Sequence, residues 1–268
     1  MEKQKRKAVI VTGASGGMGK EVCVALAEKF DVFAFDVRPT GLNDNRITDV
    51  IVDVTDTSSI EKATELVKNS GKTIYSVIHT AGIYDLDSLI EMDEQRFLKI
   101  FDVNLFGVYR INKAFIPLLG EKGRVIMVTS ELAPLDPLPF TGVYAITKSA
   151  LEKYAYSLRM ELNLLDIKVI VIRPGAVKTT LLNDSTTALD RFVDKTENYK
   201  VNANKFKKIV NSVENKNVAP QKIAKAINKA LKKKNPKYVI NVNRNFLLRL
   251  LNFLPHRLQV KIISWILK

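Results

Sequence analysis

Cysteine and histidine are nearly absent: the chain has Cys23 alone, with His79 and His256. One cysteine excludes an internal disulfide framework and suits a reducing, cytoplasmic compartment. Its apolar setting, with Val22, Val24, Ala25 and Leu26 around it, reads as a packing position rather than a reactive thiol. So few soft ligands cannot assemble a zinc cluster, and no metal is expected. Long hydrophobic runs are missing as well. The most apolar stretches, 246–255 and 260–267, are each too short to span a bilayer. After the basic start Lys3-Gln4-Lys5-Arg6-Lys7 the apolar run stops within five residues at Thr12-Gly13, which is a strand's length and not that of a signal-peptide core.

Acidic residues are what the last quarter lacks. Residues 195–268 carry 18 Lys+Arg against 2 Asp+Glu, while residues 1–194 carry 24 against 26, so nearly all of the net charge of +14 lies at one end. A compositional bias toward lysine would act along the whole chain. A basic C-terminal face therefore points to anionic lipid, an acidic carrier protein or nucleic acid, and the last is set aside because no reading motif accompanies the charge. The rest of the composition, 46% apolar and 26% charged over 268 residues, is that of a soluble globular chain with a sizeable core.

What is present is alternation of strand and helix. Lys7-Ala8-Val9-Ile10-Val11-Thr12 is a continuous β-branched run, as expected for a strand buried on both faces. It leads into Thr12-Gly13-Ala14-Ser15-Gly16-Gly17-Met18-Gly19, an amphipathic helix over 20–29, and a second strand, Val32-Phe33-Ala34-Phe35-Asp36. This is the opening of a doubly wound dinucleotide-binding fold, in which glycines let the backbone approach a pyrophosphate held at a helix N-terminus. Asp36 ends the second strand, where a carboxylate accepts from both ribose hydroxyls and repels a 2′-phosphate. That argues for NAD, with NADP the less favoured cofactor because only Arg38 stands nearby to take the phosphate.

Further strands are expected at 49–53, around 74–78, at 123–130 and at 168–172. Asp53 ends one of them and either reaches the adenine edge or caps the next helix with Thr55-Asp56-Thr57-Ser58. Asn104 lies within an apolar helix, so its amide is either bonded to backbone or part of a site. The fold class that follows is α/β, a doubly wound parallel sheet in a single domain over 1–268: a core over 7–180, a substrate loop, helices and last strand over 181–243, and a tail over 244–268.

Two stretches place a tyrosine and a lysine four residues apart on a helix face, Tyr109-Arg110-Ile111-Asn112-Lys113 and Tyr144-Ala145-Ile146-Thr147-Lys148. Their surroundings separate them. Tyr144 follows Ser130 by 14 residues and precedes Arg173-Pro174-Gly175, whereas Tyr109 belongs to the Asn104 helix.

Thr12-Gly13-x3-Gly17-x-Gly19, Asp53, Ala81-Gly82, Asn104, Ser130, Tyr144-x3-Lys148 and Arg173-Pro174-Gly175, in that order, resemble the short-chain dehydrogenase/reductase family from residue 7 to about 180. The resemblance implies that Tyr144 is the general acid/base, its pKa lowered by Lys148 and a positive nicotinamide ring. It implies that Ser130 binds the substrate oxygen, that Lys148 also binds the nicotinamide ribose, and that Asn104 holds a water leading to Lys148. It places Gly13, Ser15, Gly17, Met18 and Gly19 at the cofactor, with Asp36, Asp53 and Val54 toward adenosine. Ala81, Gly82, Tyr144, Lys148, Pro174, Gly175, Val177 and Thr179 complete the cofactor set, Thr179 at the carboxamide, though it equally suits a helix N-cap. The chain departs from the family in having His79-Thr80 where Asn-Asn is usual, Glu131 after the serine, and Pro134 where glycine is frequent.

An amphipathic helix is expected over 221–234, with Ile223, Ala226, Ile227, Ala230 and Leu231 inward, then a strand over 235–240. The tail, with Asn235-Pro236-Lys237-Tyr238 before it and Leu254-Pro255-His256-Arg257 within it, resembles the retinol and hydroxysteroid dehydrogenase branch. It either rests peripherally on a membrane, with Arg244, Arg249, Arg257 and Lys261 at the headgroups, or covers the cleft or a dimer contact. Both favour a large apolar substrate. The function expected is NAD-dependent interconversion of a secondary alcohol and ketone on a lipophilic, hydroxysteroid- or retinol-like molecule, by a homo-oligomeric (dimeric or tetrameric) enzyme with membrane association through 244–268. The alternatives are a 3-oxoacyl-thioester reductase served by an acidic carrier protein, and a non-catalytic NAD-binding or membrane-associated protein.

Overall fold

Runs such as Ala8-Val9-Ile10-Val11 are apolar at every position, so strands made from them need cover on both faces, and helices crossing between parallel strands provide it. The computed structural model describes residues 6–268, the side chains of Thr180, Leu181, Asn183 and Glu214 apart; the basic start at Lys3 and Lys5 lies outside these. In chain order the elements are β1 (Ala8–Thr12), α1 (Gly17–Ala27), β2 (Asp31–Asp36), β3 (Ile47–Ile51), α2 (Thr57–Asn69), β4 (Ile74–His79), α3 (Glu94–Phe101), a π-helical turn (Asp102–Phe106) and α4 (Gly107–Phe115). Then come β5 (Leu119–Val128), α5 (Gly142–Asn163), β6 (Lys168–Pro174), α6 (Thr180–Lys195), α7 (Lys200–Glu214), α8 (Gln221–Lys232), β7 (Val239–Val242), α9 (Phe246–Asn252) and α10 (His256–Leu267).

The strands form one sheet in the order β3-β2-β1-β4-β5-β6-β7, every pairing parallel. All strands therefore end on the same edge, and the order reverses between β1 and β4, where a crevice opens for a ligand. α1 and α8 pack on one face through Val22, Cys23, Leu26, Ile223 and Ile227. α2, α4 and α5 cover the other through Ile60, Val67, Phe115, Leu151 and Ala155. Arg124 in β5 is buried and donates to the carbonyls of Ala230 and Lys233, which pins the C-terminal end of α8 to the sheet.

Several boundaries differ from the sequence expectation. β3 begins and ends two residues early, which leaves Asp53 in the turn beyond it, and β5 ends at Val128, which leaves Ser130 in the loop after it. Ala224, not Ala226, is the fully buried alanine at the start of α8, because α8 turns that position onto α1. Residues 192–213 fall partly in α6 and partly in α7. Their junction is held by Glu91, whose carboxylate accepts from the Thr196 hydroxyl at 2.7 Å and the Asn198 amide at 2.9 Å. α6, α7 and α10 then form a canopy above the sheet edge, closed by Leu86, Leu189, Phe192, Phe206 and Leu267.

His79, at the end of β4, is buried, and its Nε2 pairs with Asn112 Oδ1 at 2.8 Å while Asn112 Nδ2 donates to the Tyr154 hydroxyl at 3.1 Å. The histidine that replaces an asparagine here thus serves the core. Burial pushes its pKa from 6.5 down to about 4. The unfolded chain then binds more protons than the folded one between these values, so stability falls as pH drops from 6.5 toward 4, by up to about 3 kcal/mol from this group. Urea unfolding across that range should show a shallower acid loss in His79→Gln than in the native chain.

Candidate active site

At the crevice the β1 turn meets the segment after β4. Gly13 has φ +68°, and a Cβ there would lie 2.5 Å from the Ala81 amide, so only glycine allows this approach. The turn opens α1, whose N-cap, Gly16, offers no capping side chain, and no acid stands in its first turn. The amides at that end are left for an external anion, which is the fit a pyrophosphate requires. Asp36 Oδ2 accepts from the Ser15 amide at 2.9 Å, and Arg38 Nε donates to Ser15 Oγ at 3.1 Å. Asp53 accepts from the Thr55 amide at 2.8 Å and hydroxyl at 2.7 Å, bonds that hold its pKa down, while α2 is capped by Asp56 rather than Asp53.

Two cavities adjoin along the sheet edge. The first is a groove of about 1260 Å³, its open mouth included, lined by Gly13, Ser15, Gly17, Met18 and Gly19 from the turn and by Asp36, Asp53 and Val54 from the second and third strand ends. Ala81, Gly82 and Thr179 also line it. The second, of about 1220 Å³ on the same measure, shares Met18, Gly82 and Thr179 and adds Ser130, Tyr144, Lys148, Pro174, Gly175 and Val177. All these residues, expected at separate points of the sequence, line one continuous space. Thr179 also occupies the N-cap position of α6, but its side chain makes no capping bond there. The tyrosine–lysine pair of α4 is elsewhere: Tyr109 and Lys113 face outward.

Within the second cavity, Tyr144 and Lys148 are both buried, and the Lys148 ammonium stands 5.7 Å from the centre of the Tyr144 ring, donating to the Val128 carbonyl at 3.4 Å. Burial pushes Lys148 down to about 8. It pushes Tyr144 up to about 12, a hydrogen bond with Ser130 drawing it partly back. The expected lowering of the tyrosine is therefore reversed in the protein alone, because removing a phenolate from water outweighs its local partners. Asn104 lies behind this wall rather than on it. Its Oδ1 accepts from the Ile83 amide at 2.9 Å, and its Nδ2 donates to the Ile83 carbonyl at 3.0 Å and Thr147 Oγ1 at 3.2 Å. A Cβ on Gly82 would sit 3.2 Å from Asn104 Oδ1 and 3.4 Å from Lys148 Nζ, so the amide backs the segment over which the lysine lies.

Glu131 turns its carboxylate to the tail. Oε2 accepts from the Asn245 amide at 2.6 Å, and burial raises the group above the usual carboxylate range. Gly175 permits the same junction, since a Cβ there would fall 1.9 Å from the Asn243 carbonyl oxygen. Behind Ser130, Arg173 pairs with Glu152, which also accepts from the Thr129 hydroxyl at 2.9 Å.

The short chain dehydrogenase family model matches residues 7–190. The chain belongs to that family. It is an oxidoreductase fold for NAD(P), and its relatives include estradiol 17-beta-dehydrogenase 2 of Mus musculus, 35% identical over 193 residues. That match takes in 66% of this chain and 49% of the mouse protein, so the chain spans about half the length of this relative. The 3-ketodihydrosphingosine reductase of Bacteroides thetaiotaomicron is 26% identical over 232 residues, 86% of this chain and 85% of the bacterial one. Among solved structures, a short chain dehydrogenase of Burkholderia cenocepacia in complex with NADP has the same fold, with a TM-score of 0.71, 21% identity, and 98% of each chain covered.

Sequence reasoning missed the supports. Tyr84 lies with its ring 4.6 Å from that of Tyr144, and nothing but its place two residues after Ala81-Gly82 announces it. Arg96 bonds Asp85 at 2.9 Å and Asp87 at 2.6 Å, and Arg191 of α6 joins Asp85. This charged knot fastens the canopy to the segment after β4, and Arg191 reaches it from 106 residues beyond Asp85. Asn104→Ala removes three hydrogen bonds, two with the Ile83 backbone and one with the buried Thr147 hydroxyl, and at about 1 kcal/mol for each it should lower the urea midpoint more than an exposed Asn204→Ala does.

Proposed function

We propose that this chain is an NAD-dependent dehydrogenase or reductase that interconverts a secondary alcohol and a ketone on a lipophilic molecule, hydroxysteroid- or retinol-like. The observation that carries the reading is the mixed character of the second cavity. One end holds Ser130, Tyr144 and Lys148, and the walls are Leu138, Phe206, Ile209, Val210, Val213 and Leu248. Such walls favour transfer of an apolar body out of water, while three polar groups at one end fix the reacting oxygen. Relatives named for estradiol and for 3-ketodihydrosphingosine support an apolar substrate that carries a secondary alcohol or ketone.

In this reading residues 7–180 hold cofactor and chemistry, 181–243 shape the substrate cavity, and 244–268 form its outer wall. Bound nicotinamide supplies the hydride acceptor in oxidation, or the donor in reduction, and in its oxidised form a positive charge. Ser130 donates to or accepts from the substrate oxygen. Tyr144 takes the hydroxyl proton in oxidation and returns one to the carbonyl oxygen in reduction. Lys148, charged below about pH 8, lowers the cost of the phenolate and binds the nicotinamide ribose. Asn104 acts on Lys148 from behind Gly82 and holds a water that leads from it toward solvent. Gly13, Ser15, Gly17, Met18 and Gly19 receive the pyrophosphate, Asp36 the adenosine ribose, and Asp53 with Val54 the adenine. Ala81, Gly82, Pro174, Gly175, Val177 and Thr179 bracket the nicotinamide. A homo-oligomer, dimeric or tetrameric, in the cytoplasm and in peripheral contact with a membrane through 244–268 completes the reading.

Formation of NADH from NAD across a panel of lipophilic secondary alcohols tests it, with Tyr144→Phe expected to lower kcat by about 10³-fold, within the range for a proton-transfer group and its supports, while NADH binding stays within a few fold. An active Tyr144→Phe variant contradicts the assignment. Arg38 lies beside Ser15 and Asp36, so removing the carboxylate should leave a cation facing the ribose. Asp36→Ala is expected to raise the NADP:NAD ratio of kcat/KM by about tenfold or more, the scale of one charged contact. Steady-state kinetics with both cofactors reads the ratio, and an unchanged value removes Asp36 as the discriminating group.

A further inference from the structure

The tail performs two tasks on one helix. Leu248 of α9 lines the substrate cavity, while its neighbours Phe246, Leu247 and Leu250 are exposed, Phe246 to 70%. The exposed apolar surface continues through Phe253 at 77% and onto α10, where Leu258, Val260, Ile266 and Trp265 at 83% face solvent and Gln259, Ile263 and Leu267 face the protein. So many large apolar side chains in one stretch of 21 residues, from 246 to 266, is not the scattered exposure of an ordinary surface.

The tail is also firmly seated. The Asn245 amide is held by Glu131, Asn252 Oδ1 accepts from the Asp136 amide at 3.0 Å, and Gln259 Nε2 donates to Asp136 Oδ2 at 3.0 Å. At the far end Asn202 Nδ2 of α7 donates to the Leu267 carbonyl at 2.8 Å. The apolar surface is thus presented by fixed helices and is not an undocked end that would fold back onto the core.

The charge around it selects the occupant. From residue 215 to 268 there is no Asp or Glu, against 13 Lys and Arg, and among these Arg249, Arg257, Lys261 and Lys268 are exposed on α9, α10 and their ends. A second copy of the chain meeting this face would bring the same cations against each other. An anionic bilayer meets both features at once, with apolar side chains below the headgroups and arginines and lysines at the phosphates. Among the described residues no helix is long and apolar enough to cross a membrane, so the contact lies in the plane of the interface.

We infer that α9 and α10 dock the protein on an anionic bilayer, and that α9, which has lipid on one side and the cavity on the other, is the doorway by which a lipophilic substrate passes from the bilayer to Tyr144. The docking stands on the surface alone; the passage rests on the function proposed above. The mouth of the cavity between α7, with Phe206, Ile209, Val210 and Val213, and α9, with Leu248, then opens at the membrane plane and not into water.

Sedimentation of the full chain with phosphatidylcholine vesicles, with and without about a quarter of phosphatidylglycerol, tests the docking. Binding is expected only with the anionic lipid, and the combined variant Phe246→Ser, Leu247→Ser, Phe253→Ser, Trp265→Ser should weaken it at least tenfold. That variant should retain turnover of a short water-soluble alcohol while losing turnover of a vesicle-embedded one. Leu248→Trp should keep vesicle and NADH binding but raise the KM of the embedded substrate. Binding indifferent to phosphatidylglycerol, or untouched by the four substitutions, overturns the docking, as does a native dimer that the same substitutions turn into a monomer without any vesicle binding. Equal turnover of the embedded substrate by native chain and four-fold variant overturns the passage. Vesicle binding by a chain that oxidises no alcohol refutes the lipophilic-substrate reading and leaves the docking standing.

Discussion

The structure is built around an ammonium group kept out of water at the edge of a parallel sheet. Lys148 has one described hydrogen bond, to the Val128 carbonyl, and its burial depresses its pKa to about 8. A cation in that position is costly unless an anion or a developing negative charge stands nearby. Tyr144, one turn earlier on the same helix and itself raised to about 12, is the group able to supply that charge as phenolate. Each group is therefore costly to ionise alone, and in the function proposed above the positive charge of bound nicotinamide is what lets the phenol release its proton. Much else serves to hold the two where they are: Asn104 backs Gly82 beneath the ammonium, Ser130 bonds the phenol, and Tyr84 packs on its ring.

A second organising feature is the junction after Ser130. Glu131, Pro174, Gly175, Asn243 and Asn245 meet there, with the Glu131 amide donating to the Pro174 carbonyl at 2.8 Å and its carboxylate holding the start of α9. The serine loop, the end of β6 and the tail thus meet in one hydrogen-bonded corner. This connects the basic, apolar C-terminus to the proposed active site: a change in how α9 sits reaches Ser130 through one residue, Glu131.

Much of this was legible in the sequence because it is local or periodic. Continuous β-branched runs marked the strands, and the glycine turn marked the crevice. The ordered series from Gly13 to Gly175 separated Tyr144 from Tyr109, and the residues it named line two adjoining cavities. Contacts between distant segments could not be read. Nothing in Arg191 announces that it joins Asp85 and Arg96, and Glu131 gave no sign that its partner lies 114 residues later. The raised pKa of Tyr144 in the protein alone could not be read either: spacing reveals the neighbouring lysine, but desolvation depends on the whole enclosure. The tail was read as a membrane surface, a cover for the cleft or a dimer contact, and α9 turns Leu248 to the cavity and Phe246, Leu247 and Leu250 outward.

The central claim is that a hydride passes within this enclosure to or from a carbon of a lipophilic substrate while Tyr144 handles the proton. Reduction of a lipophilic ketone with NADH deuterated at nicotinamide C4 measures it most directly, with mass spectrometry of the alcohol formed. The account predicts deuterium on the carbinol carbon, transferred from one face of the nicotinamide only, with the hydroxyl proton coming from solvent. Alcohol formed without deuterium at that carbon, from cofactor labelled on either face, would contradict it.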